Sequence, residues 1–358
     1  MNTPSAMTRS WAIGGRTLLV LALVLVALVP VLTSTFFTSA VGLKALWLGM
    51  AAASLTFLSG YGGMVSLAQT ALFGVAGLTA AKLSVELGWN GWVAALVGIL
   101  AATAVGLLFG AVASGSQGIY FLVITIAFAE VTYAYFAAVS TFGAHEGING
   151  AFPPSVLGDP IHQPTRMYYF LLVLSILVFV GGRYVARTAF GLALQGVRDE
   201  PVRMAALGYN VRLHRMLGFT IAAPVAGLAG VLSSWSNTRI SADSISLSVA
   251  ILVLTAAVIG GLNHLAGAWV GAFVYTICDT YMRGWTDRFA TYLGIVFLAI
   301  VLISPGGVVG ALSWATAWVR RRLFHDGTRV PEPPTSAAAL IPAGGPTASV
   351  PMTNGQPE

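Results

Sequence analysis

The sequence contains very little charge. Of its 358 residues, 8% are Asp, Glu, Lys or Arg, whereas 57% are hydrophobic. Soluble domains carry about 25% charged residues, so this composition excludes an ordinary soluble protein. Apolar stretches that approach the ~20 residues needed to cross a bilayer recur along the chain. The sequence therefore predicts a polytopic membrane protein.

Cysteine and lysine are also scarce. The single cysteine, Cys278, excludes an intramolecular disulfide and argues against a cysteine-based metal site. Neither Lys44 nor Lys82 follows a glycine, so the Gly-Lys-Ser/Thr of a phosphate-binding P-loop is missing. The pair His145–Glu146 is not followed by the second histidine of a zinc-binding helix. We predict no catalytic residue, no metal site and no cofactor in this chain.

The apolar runs that are present predict helices. They are continuous, as in Gly91–Ala113, whereas barrel strands alternate apolar and polar residues. We predict an all-α transmembrane helix bundle with about ten spans, at 17–33, 41–59, 63–82, 91–113, 118–140, 167–184, 214–236, 245–262, 265–282 and 288–304.

Two of these spans leave alternatives open. The first also fits a signal peptide, but Pro30 interrupts it and no convincing small-residue cleavage site follows, so a retained helix is favoured. The third is rich in glycine and small polar residues. It either crosses the membrane or re-enters, which is tolerable if other helices shield it.

The basic residues predict the orientation. With the N-terminus inside, most arginines fall on internal segments, as the positive-inside rule requires. We therefore predict a cytoplasmic N-terminal segment at 1–16, a transmembrane domain at 17–305 with a cytoplasmic loop at 185–213, and a mostly disordered cytoplasmic tail at 306–358 that is rich in Pro and Gly. The outer loop at 141–165 is either an ordered cap or flexible. The arginines do not interleave with aromatics on a soluble face, so nucleic acid is not an expected partner.

The cytoplasmic loop is predicted to contain a short helix. Asp199 or Glu200 suits its N-cap, Pro201 its first turn, and Gly208 its end. Such a helix would span about nine residues, from about Asp199 to Gly208, or ~13 Å. It either transmits motion from a soluble partner, or it is a solvated loop that only fixes topology. The residues assigned to this predicted coupling helix are Arg198, Asp199, Glu200, Arg203, Ala205, Ala206 and Gly208.

Four sequence blocks resemble the branched-chain amino-acid permease family of ABC importers, in particular its LivM-type subunits. They are GYGGMVSLAQTALFGVAG at 60–77, GIYFLVITIAFAEV at 118–131, the loop segment at 191–211 with the AGLAG that follows it, and VIGGLNHLAGAWVGA at 258–272. The segment at 200–208 is similar to the EAA loop, in which Glu, Ala-Ala and Gly form a coupling helix seated in the ATPase subunit. The likeness covers about residues 40–305.

This resemblance implies a permease subunit of an ATP-driven importer in the bacterial plasma (inner) membrane. The implied solutes are branched-chain or related hydrophobic amino acids. The implied partners are a second homologous permease subunit, two cytoplasmic ABC ATPases that hold ATP-Mg, an extracytoplasmic substrate-binding protein and membrane lipid. Departures from the family pattern at Met64, Ala68–Gln69, Arg239 and Asn263–His264 touch the translocation path. They leave the solute open, and urea or short amides would also suit this family.

Three polar residues in predicted spans are candidates for the translocation path. Gln69 and Thr125 either line a path for a zwitterionic solute or form polar contacts between helices. Glu130 lies near the middle of the fifth span, where a carboxylate costs at least ~2.5 kcal/mol unless it is paired or faces water. It either lines the path or forms a structural hydrogen bond, for example to Tyr133. A transporter driven by an ion gradient is a different-class alternative, and it would need such intramembrane carboxylates and broken helices.

Overall fold

The computed structural model describes residues 33–282, except 144–145, 159 and 161–163, together with 28–30, 294–295, 298, 307 and 310. Most of the predicted first span, most of the predicted tenth span and both predicted terminal segments lie outside the described residues.

Helices dominate the described part of the chain. They are α1 (Thr35–Gly62, with one π-helical stretch at Thr38–Leu43), α2 (Gln69–Val85), α3 (Gly91–Ala113), α4 (Ile119–Ala138), α5 (Pro164–Arg187), α6 (Ala189–Asp199), α7 (Pro201–Ala206), α8 (Val211–Asn237), α9 (Leu247–Gly260) and α10 (Gly267–Met282). Two strands of two residues each, β1 (Ile148–Asn149) and β2 (Arg239–Ile240), pair antiparallel.

Five of the described helices are long and apolar enough to cross a membrane, namely α1, α3, α4, α5 and α8. The shorter α9 is apolar as well. Most ends of these helices agree with the ends of the predicted spans to within a few residues. This agreement is expected because an apolar run of ~20 residues has few alternatives to a helix in a bilayer. The prediction of an all-α polytopic membrane protein is confirmed.

The core is formed by α1, α2, α3 and α8, which pack against one another. Small residues allow this close packing. A Cβ atom on Gly230 of α8 would collide with the backbone of Phe73 on α2, and one on Gly106 of α3 would lie 2.5 Å from the Cβ of Ala223. Helices α9 and α10 pack on α1, whereas α4 and α5 lie at the periphery of the described bundle.

The third predicted span consists of an irregular segment followed by a helix. The segment from Gly63 to Ala68 is irregular but mostly buried, and α2 begins only at Gln69. From there α2 runs ~25 Å in the same direction as α4. The amide of Leu67, two residues before α2, is bonded to Thr125, and Lys82 near the end of α2 lies 4.3 Å from the ring centre of Phe142, just beyond α4. Irregular backbone of this kind is tolerated in membrane proteins where it is buried in protein.

The loop predicted to lie on the outer side is ordered in its described part. Ile148 of β1 faces Ile240 of β2, and both side chains are buried. The amide of Gly150 donates a 2.9 Å hydrogen bond to the carbonyl oxygen of Thr238. Ala151 is fully buried and Leu157 is largely buried. Of the two alternatives predicted for this loop, an ordered cap and a flexible loop, these contacts favour the ordered cap.

Candidate functional site

The predicted cytoplasmic loop contains two consecutive helices, of which the first was not predicted. Helix α6 begins after Thr188, whose hydroxyl accepts a hydrogen bond from the Gly191 amide and donates one to the Val185 carbonyl oxygen. Its side chains Leu194 and Val197 are fully buried. Their spacing of three residues, with the polar residues Gln195, Arg198 and Asp199 between and after them, is the signal of an amphipathic helix that sequence reasoning missed.

The second helix, α7, is shorter than predicted. Because α6 continues through Asp199, only the six residues Pro201–Ala206 remain for it. Pro201 occupies its first turn as predicted, and Gly208, with φ of +88°, follows its end. The predicted N-cap position is confirmed for Glu200, but no capping hydrogen bond is made by its side chain. Asp199 instead accepts a hydrogen bond from Nε of Arg198 at 2.7 Å.

The surface of α7 is open to solvent. None of its residues is buried. Val202 is 82% exposed and Leu207, just beyond the helix, is 67% exposed. Ala205 and Ala206 are exposed between them, and Arg203 is the cation on the helix. An apolar surface this exposed, with small residues at its centre, allows the backbone of another protein to approach closely.

Helix α7 is attached to the bundle through α6. A Cβ on Gly196 of α6 would lie 2.9 Å from the sulfur of Met204, so α7 rests directly on the backbone of α6. Leu194 of α6 in turn packs against two glycines, Gly62 at the end of α1 and Gly218 of α8. The contacts therefore continue from α7 through α6 to the two central helices α1 and α8.

Arg198 fastens the end of α6 to the end of α1. Its guanidinium donates a hydrogen bond to the carbonyl oxygen of Gly60. Its aliphatic stem covers Gly63, where φ is +67° and a Cβ would lie 2.5 Å from Cγ of Arg198. The hydrogen bond from Arg198 holds the pKa of the Asp199 carboxyl below its ordinary value, and the positive charge of the guanidinium adds to this effect.

The irregular segment that follows Gly63 leads to two buried polar side chains. Thr125 of α4 is fully buried, and its hydroxyl accepts a 3.3 Å hydrogen bond from the Leu67 amide while donating one of 2.8 Å to the Leu122 carbonyl oxygen. Gln69, two residues beyond Leu67, is 2% exposed, and neither atom of its amide group has a hydrogen-bond partner among the described residues. The structure thus links Thr125 to the backbone two residues before Gln69.

Glu130 does not join this pair. It lies on the exposed face of α4, with Val123, Val131 and Tyr135. It forms no hydrogen bond or ion pair with the described residues, so the predicted bond to Tyr133 is not made. The turns of α4 that carry Thr125 and Ala129 face the bundle, whereas Glu130 points away from it, and its role in the translocation path stays a prediction. In the described part of the chain no three His, Cys, Asp or Glu side chains come together as metal ligands.

Comparison with known proteins gives a consistent picture. Residues 37–305 match the family model described as branched-chain amino acid transport system, permease component. The chain is 23% identical to the high-affinity branched-chain amino acid transport system permease protein LivM of Escherichia coli, with 71% of this chain and 66% of the relative covered. It is 22% identical to LivM of Salmonella typhimurium with the same coverage. The chain thus spans just under two thirds of the length of these relatives.

A partial similarity extends to another import system. The chain is 30% identical to the autoinducer 2 import system permease protein LsrC of Klebsiella pneumoniae, over 44% of this chain and 48% of that protein. No solved structure matches the chain significantly.

Proposed function

Because this chain belongs to the branched-chain amino acid transport system permease family, we propose that it is the membrane-spanning subunit of an ATP-driven importer for branched-chain or related hydrophobic amino acids. It sits in a bacterial plasma (inner) membrane with both termini in the cytoplasm. It pairs with a second, homologous permease subunit and receives its solute from an extracytoplasmic binding protein.

The observation that carries this proposal is the exposed surface of α7 together with its attachment to the bundle. One of two cytoplasmic ATPases, which hold ATP-Mg, binds α7 through Val202, Ala205 and Ala206. The two short helices are fixed to α1 and α8 rather than tethered by a flexible loop, as the contacts of Met204 and Leu194 indicate. A displacement of α7 is therefore passed on to the bundle instead of being absorbed locally.

Motion of α6 reaches the polar pair through the irregular segment. Arg198 binds Gly60 and covers Gly63. The backbone from Val65 to Leu67 lies outside helical geometry, between the last bonds of α1, made by the amides of Gly63 and Met64, and the start of α2. A small displacement at Gly63 moves Leu67 against Thr125, because these two residues share a hydrogen bond. In this mechanism, closure of the ATPases exposes Gln69 first to one side of the membrane and then to the other.

The chemistry of Gln69 supports a neutral, zwitterionic solute. A primary amide offers an acceptor oxygen to an ammonium group and a donor nitrogen to a carboxylate. Both atoms are buried and without a partner among the described residues. A binding protein delivers the solute, so the permease needs only weak contacts. The identity of the solute is tested by the uptake of labelled leucine, with isoleucine, valine and urea as competitors.

The exposed face of α4 supports a second membrane subunit. Glu130 lies about 17 Å along α4 from Ile119, near the middle of a ~30 Å hydrocarbon layer. A carboxylate facing lipid at that depth is unfavourable by at least ~2.5 kcal/mol. We assign this face to the homologous permease subunit, which supplies a hydrogen-bond donor or a cation to Glu130.

Uptake into proteoliposomes tests the energy source. The complex, reconstituted with its ATPases and binding protein, is expected to accumulate leucine with internal ATP after an ionophore has dissipated the ion gradients. Uptake that stops with the ionophore and does not require ATP would favour a gradient-driven transporter instead. Glu130 gives that alternative little support, because it lies apart from Gln69 and Thr125.

A further inference from the structure

A second polar site lies at the predicted cytoplasmic end of the bundle. A cavity of about 410 Å³ opens between the irregular segment after α1, the turn before α4, the start of α7 and the start of α8. Its cationic lining residues are Arg198 and Arg215. No Asp or Glu of the described residues lines it. The cavity is thus a concave surface with two arginines, of which Arg198 is paired with the Asp199 carboxylate outside the lining, whereas Arg215 has no acidic partner among the described residues.

Arg215 is the unusual member of this lining. It is 7% exposed, and its Nε atom has no hydrogen-bond partner among the described residues. Its neighbour Arg212 shows the contrast, since that guanidinium donates to the Ala111 carbonyl oxygen and the Ser114 hydroxyl. A buried guanidinium that lacks both a counter-ion and its full set of hydrogen bonds is unfavourable, unless an anion occupies the space beside it.

A helix terminus faces the same cavity. Gly118 and Ile119, at the N-terminus of the 20-residue α4, are lining residues, and α4 has no side-chain cap. The first backbone N–H groups of an uncapped helix are free donors and carry the positive end of its dipole. Donors from a helix N-terminus and from two arginines therefore converge on one space, an arrangement that suits a phosphate group.

We propose that this cavity binds a phosphate group, held by Arg215, Arg198 and the N-terminus of α4. Two sources supply this chemistry at the cytoplasmic surface, free phosphate and the headgroup of an anionic phospholipid. The lipid is the better geometric match, because Ile119 and Tyr120 are 78% and 80% exposed and continue an apolar surface from the mouth of the cavity along α4. Basic pockets between helices on the cytoplasmic side are recurrent sites for lipid headgroups.

This site is distinct from the Gln69–Thr125 pair and does not depend on the transported solute. It does include Arg198, which fastens α6 to α1. An anion in the cavity would therefore hold the start of α4 and the end of α6 together. The presence or absence of this anion would change how strongly α6 and α7 are held against the bundle.

Binding to the purified full-length protein in mild detergent tests the site. One arm titrates inorganic phosphate against chloride at matched ionic strength, and the other titrates short-chain phosphatidylglycerol against phosphatidylcholine, each followed by the melting temperature. We expect at least one of the two phosphate compounds to raise the melting temperature. We further expect Arg215→Gln to weaken that binding by about tenfold or more, as the loss of a charged hydrogen-bond donor implies. A response to phosphatidylglycerol alone identifies the lipid, and a response to inorganic phosphate alone identifies the free ion.

Matched controls separate binding from folding. Arg187→Gln removes an exposed arginine at the end of α5, outside the cavity, and should leave binding unchanged. Without added anion, Arg215→Gln should melt no lower than the wild type, because it removes a buried charge that has no partner. The proposal is overturned if neither compound binds, if Arg215→Gln binds as tightly as the wild type, or if leucine at the same concentration displaces the phosphate compound.

Discussion

The guanidinium of Arg198 donates a hydrogen bond to the carbonyl oxygen of Gly60, which lies 138 residues earlier in the chain. This bond joins the end of α6 to the last turn of α1. The chain leaves helical geometry three residues after Gly60, at Gly63, where φ is +67°. The predicted cytoplasmic segment is therefore attached next to the irregular stretch that leads to Gln69.

The contact between Arg198 and Gly63 gives a test with a matched control. Gly63 and Gly88 have nearly equal positive φ angles, +67° and +66°, but a Cβ would meet Arg198 at Gly63 and nothing within 4 Å at Gly88. Both substitutions to Ala incur about 1 kcal/mol of backbone strain. We expect only Gly63→Ala to displace Arg198, lower the melting temperature further and abolish uptake. Equal losses in melting temperature and uptake for the two variants would contradict the role of this contact.

Apolar substitutions of Gln69 and Thr125 should have opposite effects on the stability of the protein. Gln69→Leu removes a buried amide that has no partner among the described residues, so the protein should be as stable as the wild type or more stable, while leucine uptake is lost. Thr125→Val removes the acceptor for the Leu67 amide and should destabilise the protein by about 1 kcal/mol. Chemical denaturation and uptake measure both effects. Full uptake by Gln69→Leu would remove Gln69 from the translocation path.

Glu130 distinguishes a protein interface from a lipid-facing surface. At an interface with the second permease, Glu130→Leu leaves a donor of the partner unpaired and should reduce recovery of that subunit, whereas Glu130→Gln, which still accepts a hydrogen bond, should retain most of it. Val131→Leu is the control, because it changes the shape of the same face without removing a carboxylate. If Glu130→Leu instead raised stability and left recovery unchanged, the face would be exposed to lipid.

The Arg198–Asp199 pair predicts a defined dependence on pH. The pKa of Asp199 is below its ordinary value of 3.8. The carboxylate therefore stabilises the folded state at neutral pH, and this contribution begins to fade below the ordinary pKa and is lost as the pH falls through the lowered value. The difference in melting temperature between wild type and Asp199→Asn should be small, because the pair is exposed, and constant from pH 5 to pH 8. A difference that changes within this range would require another titrating partner for Asp199.

Sequence patterns predicted the long helices well because their physical basis is local. A continuous run such as Gly91–Ala113 has both the length and the apolar character that a bilayer demands, and α3 has these bounds. The short helices α6 and α7 were harder to predict from the sequence. Helix α6 owes its register to Leu194 packing against Gly62 and Gly218, and this contact joins three segments that are far apart in sequence.

The candidate site was predicted in composition but not in arrangement. Gln69 and Thr125 were both singled out, yet their proximity depends on the irregular segment at Leu67, which no periodicity signals. The direction of Glu130 depends on how α4 rotates against α2 and α3. All faces of α4 are similarly apolar, so its sequence carries little information about that rotation. Arg215 looked like one more topology-setting arginine, and only its burial distinguishes it.

The central claim is that α7 couples this permease to separate ATPases, and co-purification tests it most directly. The tagged protein is extracted from its native membrane in several mild detergents, and its stoichiometric partners are identified for wild type, Ala205→Arg and the control Val156→Arg in the outer cap. The account predicts two ATPases and a second permease with wild type and control. It also predicts loss of the ATPases with Ala205→Arg, which still inserts into the membrane. An intact protein that emerges alone in every detergent, or an Ala205→Arg variant that keeps its ATPases, would contradict the account.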